Sequence, residues 1–261
     1  MRLGIYGDSY GSLNLNTTGR LGLGTSWIEE FQKLAGYTEV FNFSMPGASL
    51  MYCYDQYKKT KIQNDFNIFI IPDLRRSYYP NLENIGLGGN WYSNYHSVKV
   101  TQQSFEVKRS PNDPDYDKLK KILDSVIVYH ESWRNSAHES LLHKTFALNL
   151  IQSEENIIFL YTDKNLFGPD KFTLVDLSQW EMNELGWEKI FSKHDIHYGS
   201  VQGNKFLTDA RICHLCHENN IILAQKIKEA ADRKEKIVHL NKDDYQVPTN
   251  HLTYYVKWID L

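Results

Sequence analysis

The chain has 261 residues, of which 41% are hydrophobic and 23% charged, with a formal net charge of −3. That length suits one large globular domain, and the slight negative charge gives no electrostatic footprint for nucleic acid or an anionic membrane. No run approaches the 18 or so consecutive apolar residues of a membrane-spanning helix, and the opening residues lack the apolar stretch of a secretory signal, so a cytoplasmic chain is expected.

Residues 3–6, Leu-Gly-Ile-Tyr, are fit for a short buried strand and run directly into Gly7-Asp8-Ser9. A strand ending in this way offers a hydroxyl at the carboxyl edge of a sheet, where open α/β sheets place their ligands. Asp8 and Ser9 are equally good at capping a helix or turning a chain, so a nucleophilic role for Ser9 requires a base elsewhere. A loop rich in Gly, Asn and Thr follows over residues 10–25, without the glycine spacing of a dinucleotide fingerprint. Ser26 is placed to cap a helix over 27–35, in which Trp27, Ile28, Phe31 and Leu34 share a face and Gly36 stops the run.

A second strand is expected over 39–44, closed by Met45-Pro46-Gly47-Ala48-Ser49, then a helix over about 48–60 and a central strand over 66–71. Pro72-Asp73-Leu74-Arg75-Arg76 ends that strand. Strand and helix thus alternate with polar or glycine-bearing tips, the pattern of a parallel sheet covered by helices. Residues 77–115 break the rhythm with aromatic, Gly and Pro clusters, and are read as an insertion over the active edge whose aromatic side chains are suited to holding a substrate. Helices over 116–129 and 132–152 lead to a fourth strand over 156–162, tipped by Asp163. A fifth strand is expected over 171–177, a short helix over 179–192 and a final helix over 218–236. Residues 237–261 form a C-terminal extension in which Tyr254 to Trp258 reads as an added strand or an interface.

The segment Asp209-Ala-Arg-Ile-Cys213-His214-Leu-Cys216-His217-Glu218 admits three readings. It fits the C-x-x-C-H pattern of haem attachment, which demands export to an oxidising compartment. It offers Cys213, Cys216 and a histidine to zinc, although no second cysteine pair completes a structural site. Or one histidine, just before the last helix, is the base for Ser9. With Cys53, the chain holds three cysteines, an odd number read as reduced.

Three blocks in order resemble the SGNH (GDSL-type) hydrolases over residues 1 to about 232. Gly7-Asp8-Ser9 is similar to the nucleophile block. Asn42-Phe43-Ser44-Met45-Pro46-Gly47-Ala48 resembles the second block, whose glycine donates to the oxyanion hole. His214-Leu-Cys-His-Glu-Asn-Asn-Ile-Ile-Leu-Ala224 resembles the last and selects His214 over His217. Two positions depart from the pattern. The asparagine that usually follows the third strand as an oxyanion donor is missing, leaving Arg75 or Arg76 as substitutes. The position three before the histidine is Arg211, so Asp209 is the nearest orienting acid, with Asp163 and Asp195 as alternatives.

The resemblance implies a three-layer α/β/α sandwich with a central parallel sheet of flavodoxin-like order, spanning 1–232 with the 77–115 insertion, followed by the 233–261 extension. It implies a serine esterase with Ser9, His214 and Asp209 in catalysis and Ser9, Gly47 and Arg75 around the oxyanion. The substrate class is small acyl esters, extended by the aromatic insertion to O-acetylated carbohydrate. No metal or organic cofactor is needed, and no nucleic-acid or membrane partner is expected. Similar domains occur in bacteriophage-encoded proteins, which would allow a place in a virion. Two rivals stand beside it: an SGNH-like scaffold that has lost catalysis and serves as a binding or structural module, and an acyltransferase that uses the same Ser9 and His214 to pass the acyl group to an alcohol instead of water.

Overall fold

A computed structural model describes residues 1–8, 10–11, 26–45, 48–78, 90–91, 110–161, 166–167, 217–240 and 244. Among them lie β1 (Arg2–Tyr6), α1 (Trp27–Ala35), β2 (Glu39–Asn42), α2 (Leu50–Thr60), β3 (Phe66–Ile71), β4 (Ser77–Tyr78), β5 (Asn90–Trp91), α3 (Tyr116–Val128), α4 (Ser136–Ser153), β6 (Ile157–Tyr161) and α5 (His217–Asp232). The expected strand over 171–177, the helix over 179–192 and the segment Tyr254 to Trp258 fall outside the described residues.

The fold is mixed α/β. Among the described residues its main sheet has four parallel strands in the order β2-β1-β3-β6, with Leu3 opposite both Val40 and Phe66, and Ile68 opposite Ile158. β3 and β6 are apolar because both of their faces are covered: every residue of β6, and Ile68, Phe69, Ile70 and Ile71 of β3, are buried. β2 ends the row of described strands and alternates between exposed and half-buried positions. Tyr6 and Phe69 meet Tyr57 of α2 edge to face, whereas Phe66 stacks on Tyr37, which in turn meets Phe31 of α1. Since Phe66 and Phe69 differ by an odd number of positions, α1 and α2 contact opposite faces of the sheet.

Local chemistry fixes the helix ends. Ser26 Oγ accepts the Glu29 N–H at 3.3 Å while the Glu29 carboxylate accepts the Ser26 N–H at 2.7 Å, a reciprocal capping box. Gly36 closes α1 in the left-handed conformation, φ 72°. Ser49 caps α2 through the Tyr52 N–H. The helix expected from 132 starts at Ser136, because residues 129–133 form a π turn and Asn135 caps the new start through the His138 N–H. α5 packs on α1 and buries Leu223, Ala224, Ile227 and Ala230. It ends at Asp232, short of the expected 236, and Lys234 then takes φ 57°.

Past that turn the chain rejoins the sheet. Phe159 N–H donates to Lys236 O at 2.7 Å, Ile237 forms an isolated parallel bridge with Phe159, and Val238 and Leu240 are buried in the same core as β1 and β3. Residues 236–240, in the expected extension, therefore pack against the sheet. The start of the expected insertion also carries structure: β4 and β5 pair antiparallel, Ser77 opposite Trp91, and Tyr78 packs edge-on against Tyr52 of α2. Among the described residues, no helix is long and apolar enough to cross a membrane.

Candidate functional site

The tip of β1 is built by close approach. A Cβ at Gly7 would fall 2.6 Å from Ile70 Cβ, so glycine alone lets the end of β1 run this near β3. Beyond it the Asp8 carboxylate is fully buried and doubly engaged. Its Oδ1 accepts the Tyr10 N–H at 3.2 Å, spanning the position of Ser9, and its Oδ2 accepts Arg76 Nη1 at 2.8 Å. Asp8 O accepts the Gly11 N–H at 3.1 Å, which tightens the turn. Three further bonds hold this tip to its neighbours. Trp27 Nε1 donates to Tyr10 O at 2.9 Å, Asn42 Nδ2 to Gly11 O at 2.6 Å, and Met45 N–H to Gly7 O at 3.0 Å. Asn42 also accepts the Ser44 N–H at 2.9 Å, so β2 stops at Asn42, although Phe43 N–H still donates to Ile5 O alongside β1.

Arg76 comes from the turn after β3. Its Nη1 donates to Asp8 and also to Ala48 O at 2.9 Å, the carbonyl next to the amino end of α2. That turn is held from behind. His143 Nδ1 lies 2.7 Å from Leu74 O and must carry its proton there, because a carbonyl only accepts. Arg134 Nη2 donates to Arg75 O at 2.8 Å, and the Arg134 guanidinium also pairs with Glu139, which accepts Ser77 Oγ–H at 2.8 Å.

Arg75 points the other way. Its Nε and Nη2 form a two-pronged pair with Asp73, at 2.9 and 2.5 Å, and its side chain is exposed. Burial alone would raise the Asp73 carboxyl, but the hydrogen bonds from Arg75 outweigh it and leave the group below its ordinary value. The two adjacent arginines thus divide their tasks, one at the surface with Asp73 and one in the interior with Asp8. Cys53 of α2 is buried near this pair. Its thiol is pushed well above the usual range by burial and then by the Asp8 charge, with Arg76 opposing, and is an inert part of the core.

Neither a protein-family model nor a curated protein matches the chain.

Of the candidate site residues singled out in the sequence, the structure describes Gly7, Asp8, Asn42, Cys53, Arg75 and Arg76, and His217 as the first residue of α5. Ser9, Gly47, Asp209 and His214 lie outside the described residues, as do Asp163, Asp195, Arg211, Cys213 and Cys216. Among the described residues no group of three or more His, Cys, Asp or Glu side chains could hold a metal ion. Sequence reasoning missed the partnership of Asp8 with Arg76 and the role of the Ala48 carbonyl. Asp8 reads locally as a cap, and its partner lies 68 residues away with no pattern to announce it. A signal did exist for the neighbouring arginine. In Asp73-Leu74-Arg75 the aspartate accepts the N–H two residues on, at 2.9 Å, the usual Asx turn, and so captures Arg75 first.

Proposed function

We propose that the chain is a serine ester hydrolase acting on small acyl esters, with O-acetylated carbohydrate as the extended substrate class, and that its layers complete a three-layer α/β/α sandwich of the SGNH type. The observation that carries this reading is the position of Gly7 and Asp8 at the carboxyl end of β1, beside β3, in a sheet ordered β2-β1-β3-β6. The chain leads from β1 to β2 on one side and from β3 onward to β6 on the other, and such a switch point between neighbouring strands is where open α/β sheets hold their ligands.

In this mechanism His214, oriented by Asp209, takes the proton of Ser9 Oγ as that oxygen bonds to the ester carbonyl carbon. Backbone N–H groups of Ser9 and Gly47 receive the negative charge that develops on the carbonyl oxygen. The C–O bond to the alcohol then breaks and His214 returns the proton to the departing oxygen. Water, deprotonated by His214, attacks the acyl-Ser9 ester and releases the carboxylic acid. Acyl transfer to a second alcohol in place of water follows the same steps.

The test is hydrolysis of p-nitrophenyl acetate by the wild type beside Ser9→Ala and His214→Ala, with folding checked by circular dichroism. Activity lost in both folded variants supports the reading; a wild type no faster than Ser9→Ala overturns it. One observation favours the rival of a non-catalytic binding scaffold. Both arginines that follow β3 are held by carboxylates, Arg75 by Asp73 and Arg76 by Asp8, where the family resemblance calls for an asparagine donating to the oxyanion.

A further inference from the structure

We propose that Arg76 is a positioning residue that sets the spacing of the two backbone segments of the oxyanion hole; the inference rests on the esterase reading above. A single guanidinium nitrogen, Arg76 Nη1, bridges Asp8 Oδ2 at 2.8 Å and Ala48 O at 2.9 Å. Asp8 directly precedes Ser9 and Ala48 directly follows Gly47, so the bridge joins the neighbours of both residues whose N–H groups receive the oxyanion. The other Asp8 oxygen accepts the Tyr10 N–H, so both carboxylate oxygens are held. The side chains on both sides of the bridge are buried, 9% exposed for Arg76 and 0% for Asp8, so water competes weakly for them.

The anchor is itself rigid. Arg76 N–H donates to Asp73 O at 3.2 Å, and the carbonyls of Leu74 and Arg75 are gripped by His143 and Arg134. The guanidinium therefore projects from a fixed turn into the gap between the tips of β1 and α2. Arginine suits the task because its planar fork is always charged and pre-organised, which a lysine ammonium is not. In this arrangement the residue that follows β3 acts on the oxyanion through the backbone it holds, not by donating to it.

The experiment measures kcat and KM for p-nitrophenyl acetate on wild type, Arg76→Met and Arg76→Lys, each normalised to the fraction of protein titrated by a fluorophosphonate that labels Ser9, with Ser9→Ala as the blank. Misplaced oxyanion donors cost transition-state stabilisation, so Arg76→Met is expected to lose about a hundredfold in kcat per labelled site with KM changed less than about threefold. Arg76→Lys keeps the charge without the fork and is expected between the two. The rate of fluorophosphonate labelling, which passes through the same charged oxygen, falls in parallel with kcat. If Arg76→Met fails to fold, Arg76→Lys decides by the same split. An active wild type whose Arg76 variants keep kcat per labelled site, or lose only the labelled fraction, overturns the positioning role and leaves the esterase reading intact. A wild type that neither hydrolyses the ester nor takes the label overturns both.

Discussion

The indole Nε1 of Trp27 donates to the carbonyl of Tyr10 at 2.9 Å, so the first residue of α1 holds the chain that leaves β1. The same residue's backbone N–H donates to Asn220 Oδ1 of α5 at 3.2 Å, which satisfies one of the amide groups left open at a helix start. Trp27 thereby ties the β1 tip, α1 and α5 at one buried point. Trp27→Phe keeps most of the ring but leaves the Tyr10 carbonyl without this donor. A buried polar group deprived of its partner costs about 1–3 kcal/mol, to which lost ring volume adds. Urea unfolding should show the midpoint fall with an unchanged slope; an unchanged midpoint would mean that the bond contributes nothing.

Gly7 and Gly36 separate two reasons for a glycine. At Gly7 an added Cβ meets Ile70 Cβ at 2.6 Å and Ile70 Cδ1 at 2.9 Å. The first of these atoms is fixed to the β3 backbone and cannot rotate away, so strands must part. Gly7→Ala is expected to cost about 1–3 kcal/mol as overpacking. At Gly36 an added Cβ meets nothing within 4 Å, and the cost is that of a left-handed backbone at φ 72°, about 1–2 kcal/mol. Both variants lower the thermal midpoint, but only Gly7→Ala should speed hydrogen exchange of the amides at the tips of β1 and β3; unchanged exchange there would mean that the strands do not part.

Much of the frame was legible because its signals are local. Ser26, the apolar spacing of Trp27, Ile28 and Phe31, and Gly36 mark α1 at both ends, and its observed range matches the expected one. The run 66–71 is apolar enough that only a strand covered on both faces suits it, and it is β3. Signals that depend on distant residues were not legible. The helix expected from 132 begins at 136 because Asn135 supplies the cap and the five residues from Tyr129 close a wider turn, a choice that apolar spacing does not encode. The return of Ile237 to the edge of β6 depends on Lys234 turning the chain with a positive φ, which lysine does not advertise. At the candidate site the sequence offered two adjacent arginines, and only tertiary packing assigns Arg76 to the interior.

His130 makes the stability depend on pH. Burial, and then the positive charge of Arg134, pull its imidazole down from 6.5 to about 4, with Glu139 opposing. In the unfolded chain the ring takes up a proton near its ordinary value of about 6.5, whereas in the fold it stays neutral until about 4. A depressed folded value means that the full stability is present above the unfolded value and is lost as pH falls toward the folded one. The wild type should therefore lose more stability than His130→Gln between pH 6.5 and 4, and the gap should stop growing below that. Urea midpoints for both proteins across this range check it; parallel curves would show that His130 does not titrate differently on folding.

The Asp8 and Arg76 pair also carries a stability consequence separable from any activity. Removing one partner of a buried ion pair strands the other charge away from water and typically costs about 3–5 kcal/mol, while replacing both costs much less, because the desolvation of two charges no longer has to be offset. Arg76→Met leaves the Asp8 carboxylate with the Tyr10 N–H but without its cation. Asp8→Asn retains an oxygen for Tyr10 and presents a neutral amide to the guanidinium. If the two side chains act as a unit, the double variant will be more stable than the sum of the single losses allows, with a coupling of about 1–3 kcal/mol in the cycle. Urea unfolding of the four proteins gives that coupling directly. Losses that simply add would mean that each side chain is held by its other contacts, Arg76 by the Ala48 carbonyl and Asp8 by the Tyr10 amide, and that the salt bridge between the tips of β1 and β3 contributes no stability of its own.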